Sequence, residues 1–215
     1  LVALSIDNSI SDEVFLAIAI PGLIVAIIGW LDDRAHLTSA KWRLVGHFAC
    51  ASLALWLTGG LPELPLANST IDFGLAGDIA AVIYLVWMLN LFNFMDGIDL
   101  ITGVQTVTTS AGVVMLLLIS TESDLWKIFA IMTASILGFL FFNLPPAKIF
   151  LGDVGSGFIG FTTAVISLVV AEDEPLVAWA MIILLAVFVT DTTVTLLRRL
   201  LSREHVYVAH RTHAY

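Results

Sequence analysis

The chain has 215 residues, 59% of them hydrophobic and only 13% charged, with a mean hydropathy of +1.00. An ordinary soluble domain carries about 25% charged residues, so these values exclude that class and point to an integral membrane protein. The net charge of −9 argues against a nucleic-acid partner, and a single cysteine, Cys50, excludes an intrachain disulfide or a cysteine metal cluster.

Apolar blocks approaching the length that crosses a bilayer core recur along the chain. Seven spans are expected, at residues 14–31, 44–57, 79–92, 103–120, 126–142, 156–170 and 176–197. Each should be α-helical, because backbone groups in hydrocarbon must be paired within the segment. The alternation that a membrane β-barrel needs is not visible. With no repeat, low-complexity run or long linker, residues 1–215 read as a single domain, an all-α polytopic helix bundle. Position 1 is Leu, and Tyr215 falls inside a motif-like stretch. The chain is therefore expected to be a fragment, lacking N-terminal helices and a C-terminal one.

Charge placement orients the bundle. The connections after spans one, three, five and seven hold Arg34, Lys41, Arg43, Lys148, Arg198, Arg199, Arg203 and Arg211, whereas the opposite connections hold Lys127 alone. Lys/Arg excess marks the cytoplasmic side. Trp30 and Trp42 fall near the inner interface, and Trp56, Trp126 and Trp179 near the outer one, as aromatic belts do. Span parity then gathers Asp32, Asp33, Asn93, Asp96, Asp99, Asp153, His210 and His213 on the cytoplasmic face.

Ionisable groups at a membrane helix end mark a functional site by default. Asn90, Asn93, Asp96 and Asp99 recur every three residues, a ladder that drifts by about 60° per step on a helix and keeps neighbours close. Helix capping accounts for one or two such residues, not four. Asp32 and Asp33 close span one about 100° apart around the axis, so their roles should differ; a solvated charged loop is the plainer reading. Asp153, in Phe150-Leu-Gly-Asp153-Val-Gly-Ser156, is either an N-cap or part of a metal or phosphate site at a helix N-terminus, with Lys148 near a phosphate. Oxygen donors on separate loops suit Mg²⁺, which takes one or two carboxylates plus waters and substrate phosphates, or Mn²⁺ in its place. Three histidines and two arginines between positions 203 and 213 exceed what membrane anchoring requires; they suit a diphosphate or headgroup clamp. Asp191 lies inside span seven and lines either a wet groove or a helix–helix hydrogen bond. His47, with no partner set by spacing, reads as a packing residue.

Together these motifs resemble the polyprenyl-phosphate N-acetylhexosamine-1-phosphate transferases, glycosyl transferase family 4, which include phospho-MurNAc-pentapeptide translocase. The matching pieces are Asp32-Asp33, Asn90-x-x-Asn93-x-x-Asp96-Gly97-x-Asp99, Phe150-Leu-Gly-Asp153, Asp191 with Arg198-Arg199, and His210-x-x-His213. The resemblance implies attack of a polyprenyl phosphate on the β-phosphorus of a UDP-amino-sugar at the cytoplasmic face of a bacterial inner membrane, releasing UMP. It implies that Asp153 and Asn93 hold Mg²⁺ with Asp96 beside them. It places the deprotonating or orienting group in the Asp32-Asp33 pair. It puts Phe150 on uracil, Asn90 and Asp99 in the nucleotide pocket, and His210, Arg211 and His213 on the diphosphate or sugar. A homodimer is compatible with it.

Three departures stand out. Leu100 replaces a glycine that members often carry, His36 replaces a lysine, and the histidine motif reads His-Arg-Thr-His. The last resembles the O-antigen- or capsule-initiating branch. Two other Mg²⁺ enzyme classes, prenyl and CDP-alcohol transferases, want aspartate spacings that Asp96 and Asp99 do not supply. An ion-coupled transporter would place its carboxylates near the midplane, where Asp191 alone falls.

Overall fold

The computed structural model describes residues 4–5, 9–35, 39–66, 69–120 and 123–202. Helices α1 (Asp12–Ala35) and α2 (Ala40–Leu57) are followed by a two-stranded antiparallel hairpin, β1 (Leu64–Leu66) with β2 (Ser69–Ile71). Then come α3 (Gly74–Met95), α4 (Ile101–Ser120), α5 (Trp126–Asn143), α6 (Gly152–Asp173), α7 (Pro175–Leu184) and α8 (Ala186–Leu201). The protein is an all-α bundle of apolar helices. Five of them (α1, α3, α4, α5 and α6) are long and apolar enough to cross a membrane, six spans if α7 and α8 count as one. Helix α2 falls outside that set, since Lys41, Arg43 and His47 dilute its first two turns. The hairpin was not among the elements expected from the sequence.

Helix α6 is the centre of the bundle. It packs against α1, α3 and α7, while α4 and α5 pair with each other and α2 lies between α1 and α3. The sequence of α6 explains this position. Small residues on several sides let neighbouring backbones close in, and a Cβ built on Gly160 would sit 2.7 Å from the Met88 carbonyl oxygen of α3. Around this contact Phe92, Phe161 and Phe188 are fully buried, with the Phe92 and Phe188 rings edge to face at 5.5 Å. Two polar pairs inside the bundle join different helices: Tyr84 with Ser167 at 2.8 Å, and Ser110 with Thr133 at 2.7 Å.

The segment expected as one straight span at 176–197 is instead bent by 59° between α7 and α8. Neither glycine nor proline stands at the break, but the composition changes there, from the wholly apolar α7 to an α8 bearing Thr190, Asp191, Thr192, Thr193 and Thr195. The Gln105 side-chain amide on α4 donates to the Leu184 carbonyl at 2.8 Å. That bond satisfies a carbonyl the break would otherwise strand in an apolar setting.

Candidate functional site

Four helices meet at one end of the bundle. Helix α1 delivers Asp32 and Asp33 in its last turn, α2 delivers Arg43 in its first, α3 delivers Asn90 and Asn93 near its C-terminus, and α6 delivers Asp153 in its first turn. The Arg43 guanidinium donates from Nη1 to Asp32 Oδ2 and to Asp153 Oδ2, the latter at 3.0 Å. Asn93 lines the same small cavity as Asp153, and the Asp32 carboxyl meets Asp153 through Arg43.

Asp33 is occupied differently. Its Oδ1 accepts from the Asp153 N–H at 3.2 Å, and its Oδ2 faces the Val154 N–H at 3.5 Å. A carboxylate from α1 thus sits on the N-terminus of α6, where orphan N–H groups and the helix dipole favour negative charge. This corrects the N-cap reading of Asp153, which lies inside the first turn with no side-chain cap at Leu151. Two glycines make the arrangement possible. Gly152 has φ +60°, and a Cβ there would meet Asp33 Oδ2 at 2.6 Å; a Cβ on Gly29 would meet the Asp153 backbone at 2.6 Å.

Asp96 terminates α3, half-buried. Burial pushes its carboxyl above the usual carboxylate range, the Asp153 charge adds to that shift, and the nearby Thr102 hydroxyl opposes it from outside full hydrogen-bond geometry. Asp99 Oδ2 accepts the Ala147 N–H at 3.1 Å, tying the loop after α3 to the loop before α6. Asn143 makes the same connection: its Oδ1 accepts the Leu100 N–H at 2.7 Å, and its Nδ2 donates to the Ile149 carbonyl at 2.9 Å. Leu100 has φ +71°, so the turn keeps the left-handed conformation that glycine favours, without the glycine.

A small cavity of about 40 Å³ opens among Gly29, Arg43, His47, Asn90, Asn93 and Asp153. A groove of about 440 Å³ runs beside it between α2 and α3, lined by Leu44, Phe48, Ile83, Val86 and Trp87. Arg43, His47 and Asn90 belong to both. His47 is 8% exposed, as a packing residue would be, and its Nδ1 has no hydrogen-bond partner among the described residues.

The structure therefore brings together Asp32, Asp33, Asn93 and Asp153, with Asn90 alongside and Asp96 near enough to feel Asp153. Asn90 Nδ2 itself donates within α3 to the Val86 carbonyl at 2.7 Å. Phe150 is 70% exposed and Lys148 is exposed, both on the loop before α6. Asp191 is half-buried on α8, but the α8 residue lining the groove is Leu196. His210, Arg211 and His213 lie outside the described residues. Arg43 and Asn143 are the residues that sequence reasoning missed. Arg43 was absorbed into the positive-inside count, and nothing in the spacing of Asn143 distinguishes it.

No three Asp, Glu, His or Cys side chains among the described residues converge tightly enough to hold a metal by themselves. That excludes a zinc-type cage there, but it agrees with the habit of Mg²⁺, which takes one or two carboxylates and completes its shell with water and phosphate. Asp153 with Asp32 or Asn93 is a hard-oxygen set of that size.

Residues 15–171 match the family model for glycosyl transferase family 4. The chain is similar to a probable undecaprenyl-phosphate N-acetylglucosaminyl 1-phosphate transferase of Bacillus subtilis, 28% identical over 92% of this chain and 56% of that protein. It is also similar to phospho-N-acetylmuramoyl-pentapeptide-transferases: that of Listeria monocytogenes at 30% identity over 92% of this chain and 64% of that protein, and that of Streptococcus pyogenes at 32% over 90% and 59%. The chain spans less than two thirds of the length of these curated relatives.

Proposed function

We propose, from the premise that this chain belongs to glycosyl transferase family 4, that it carries the catalytic face of an enzyme moving a phospho-N-acetylamino-sugar from a UDP-sugar to polyprenyl phosphate. UMP is the second product. The observation that carries this reading is the meeting of Asp32, Arg43, Asn93 and Asp153, from four helices, at the mouth of an apolar groove.

Phosphoryl transfer needs positioning and charge neutralisation more than covalent work by the protein. Asp153, Asn93 and Asp96 would hold Mg²⁺, or Mn²⁺, which when bound neutralises charge on the donor diphosphate. Asp33 is engaged by the α6 N-terminus, which leaves Asp32 as the carboxylate that orients the acceptor phosphate or takes its proton. Asn90 lines the cavity beside it, and Asp99 braces the two loops that would frame the nucleotide. The high exposure of Phe150 suits a ring waiting to stack on uracil, and Lys148 suits a phosphate. His210, Arg211 and His213 would complete the diphosphate clamp.

The Lys/Arg asymmetry supports a cytoplasmic site, and the bacterial relatives support a bacterial plasma membrane, with α2 as a further span and α7–α8 as the seventh. The His-Arg-Thr-His spelling favours the O-antigen or capsule branch. The test is UMP release from membranes carrying the protein in its natural length. Release should require both polyprenyl phosphate and Mg²⁺. Release of UMP without the lipid would overturn the reading.

A further inference from the structure

The Asp32 and Asp153 carboxylates approach each other, and the cation between them is Arg43. Asp33 is neutralised separately, by the α6 N-terminus. Arg43 already holds Oδ2 of both carboxylates, and its positive charge repels a divalent ion seated against them. Metal loading and the Arg43 bridge therefore compete for Asp32 and Asp153.

The described residues offer Arg43 a destination. Arg43 lines the groove between α2 and α3 as well as the small cavity. That groove is apolar along Leu44, Phe48, Ile83 and Trp87 and polar at its inner end, at Arg43, His47 and Asn90. His47 Nδ1 is buried there with no hydrogen-bond partner among the described residues. An apolar trough ending in an arginine and an unpaired imidazole nitrogen has the complementarity of an anion-headed lipid, and arginine pairs well with phosphate.

We propose that Arg43 is an exchangeable counter-ion: it bridges Asp32 and Asp153 until a divalent cation displaces it, and then turns to the groove to hold the phosphate of the acceptor lipid. The inference rests on the transferase reading above. It makes metal and acceptor binding mutually reinforcing through one side chain, and such coupling is reciprocal.

The experiment is Mn²⁺ titration of the purified protein in detergent, followed by loss of the free-ion electron paramagnetic resonance signal, with farnesyl phosphate or inorganic phosphate as probe. Saturating farnesyl phosphate should tighten Mn²⁺ binding by about tenfold in the wild type, within the usual range of coupling between sites. Inorganic phosphate, lacking a tail, should need far higher concentration; equal potency of the two would remove the groove from the proposal. Arg43→Gln should bind Mn²⁺ about tenfold more tightly without lipid and lose most of the lipid-dependent tightening. Arg43→Lys, which keeps the charge but not the fork, should fall between. Unchanged or weaker Mn²⁺ binding in both variants would overturn the exchange. Asp153→Asn separates the two levels. If it loses Mn²⁺ binding while the Arg43 variants behave like wild type, the exchange alone fails. If it binds Mn²⁺ normally, the metal assignment fails and the exchange with it.

Discussion

Asp33 and Asp153 carry the same charge at the same place, yet the structure gives them opposite tasks. Asp33 faces backbone N–H groups at a helix start, and Asp153 faces side chains and a cavity. Replacing Asp153 by Asn should lower turnover by about 10²–10³-fold, the scale of losing one preorganised electrostatic group; UMP release under saturating substrates reads it, and normal turnover would remove Asp153 from the site. Asp96 gives a pH-dependent test. Burial raises its folded-state pKa, so its charged form costs stability. That cost is absent below the unfolded value and grows as pH rises through the folded one. Asp96→Asn should therefore stabilise the protein at pH 7 in chelator, and the gain should shrink as pH falls toward the carboxylate range. Thermal unfolding in detergent at the two ends of that window checks it. Leu100, held at φ +71°, is strained in a way glycine is not. Leu100→Gly should raise stability by about 1 kcal/mol, the typical left-handed penalty for a residue with a Cβ; a lower midpoint would mean that the Leu100 side chain contributes more than its backbone costs.

At the scale of elements, α6 and the α7–α8 break decide the architecture. Helix α6 is central because its small residues admit α1 and α3 to backbone contact. Gly160→Ala would set a methyl against the Met88 carbonyl at 2.7 Å and Phe92 Cβ at 2.8 Å. Because one of those atoms is backbone, the helices must separate, and a cost of about 1–3 kcal/mol is expected. A midpoint equal to wild type would show that α3 and α6 tolerate separation. The spans themselves were legible: residues 79–92, 103–120 and 126–142 fall inside α3, α4 and α5, whose ends extend them by a few residues. The break was not, because hydropathy sums over a window, whereas the Gln105–Leu184 bond joins residues 79 positions apart. The hairpin escaped for a related reason, since three-residue strands leave no period to detect.

For the whole molecule, the carboxylate-cluster end is predicted to face the cytoplasm. The carboxylate cluster lies at the Arg43 end of α2, and Glu63 lies past its other end; a helix of 18 residues separates them, about 27 Å. Glu63→Cys should be labelled by an impermeant maleimide in intact cells, and Lys148→Cys only after permeabilisation. Cys50 is buried and gives little background. The reverse pattern would invert the topology. Composition alone established a membrane protein with apolar helices, and the motif order established its family, because both are properties of residue identity and spacing. What only the tertiary structure decided is which charges touch. Arg43 looked like one of several basic anchors until packing placed it on Asp153, 110 positions away. Helix geometry predicted different roles for Asp32 and Asp33, but only the tertiary structure assigned Asp33 to the α6 N-terminus. Such pairings depend on how closely helices approach, and that is set by the glycines facing each contact and not by the charges themselves.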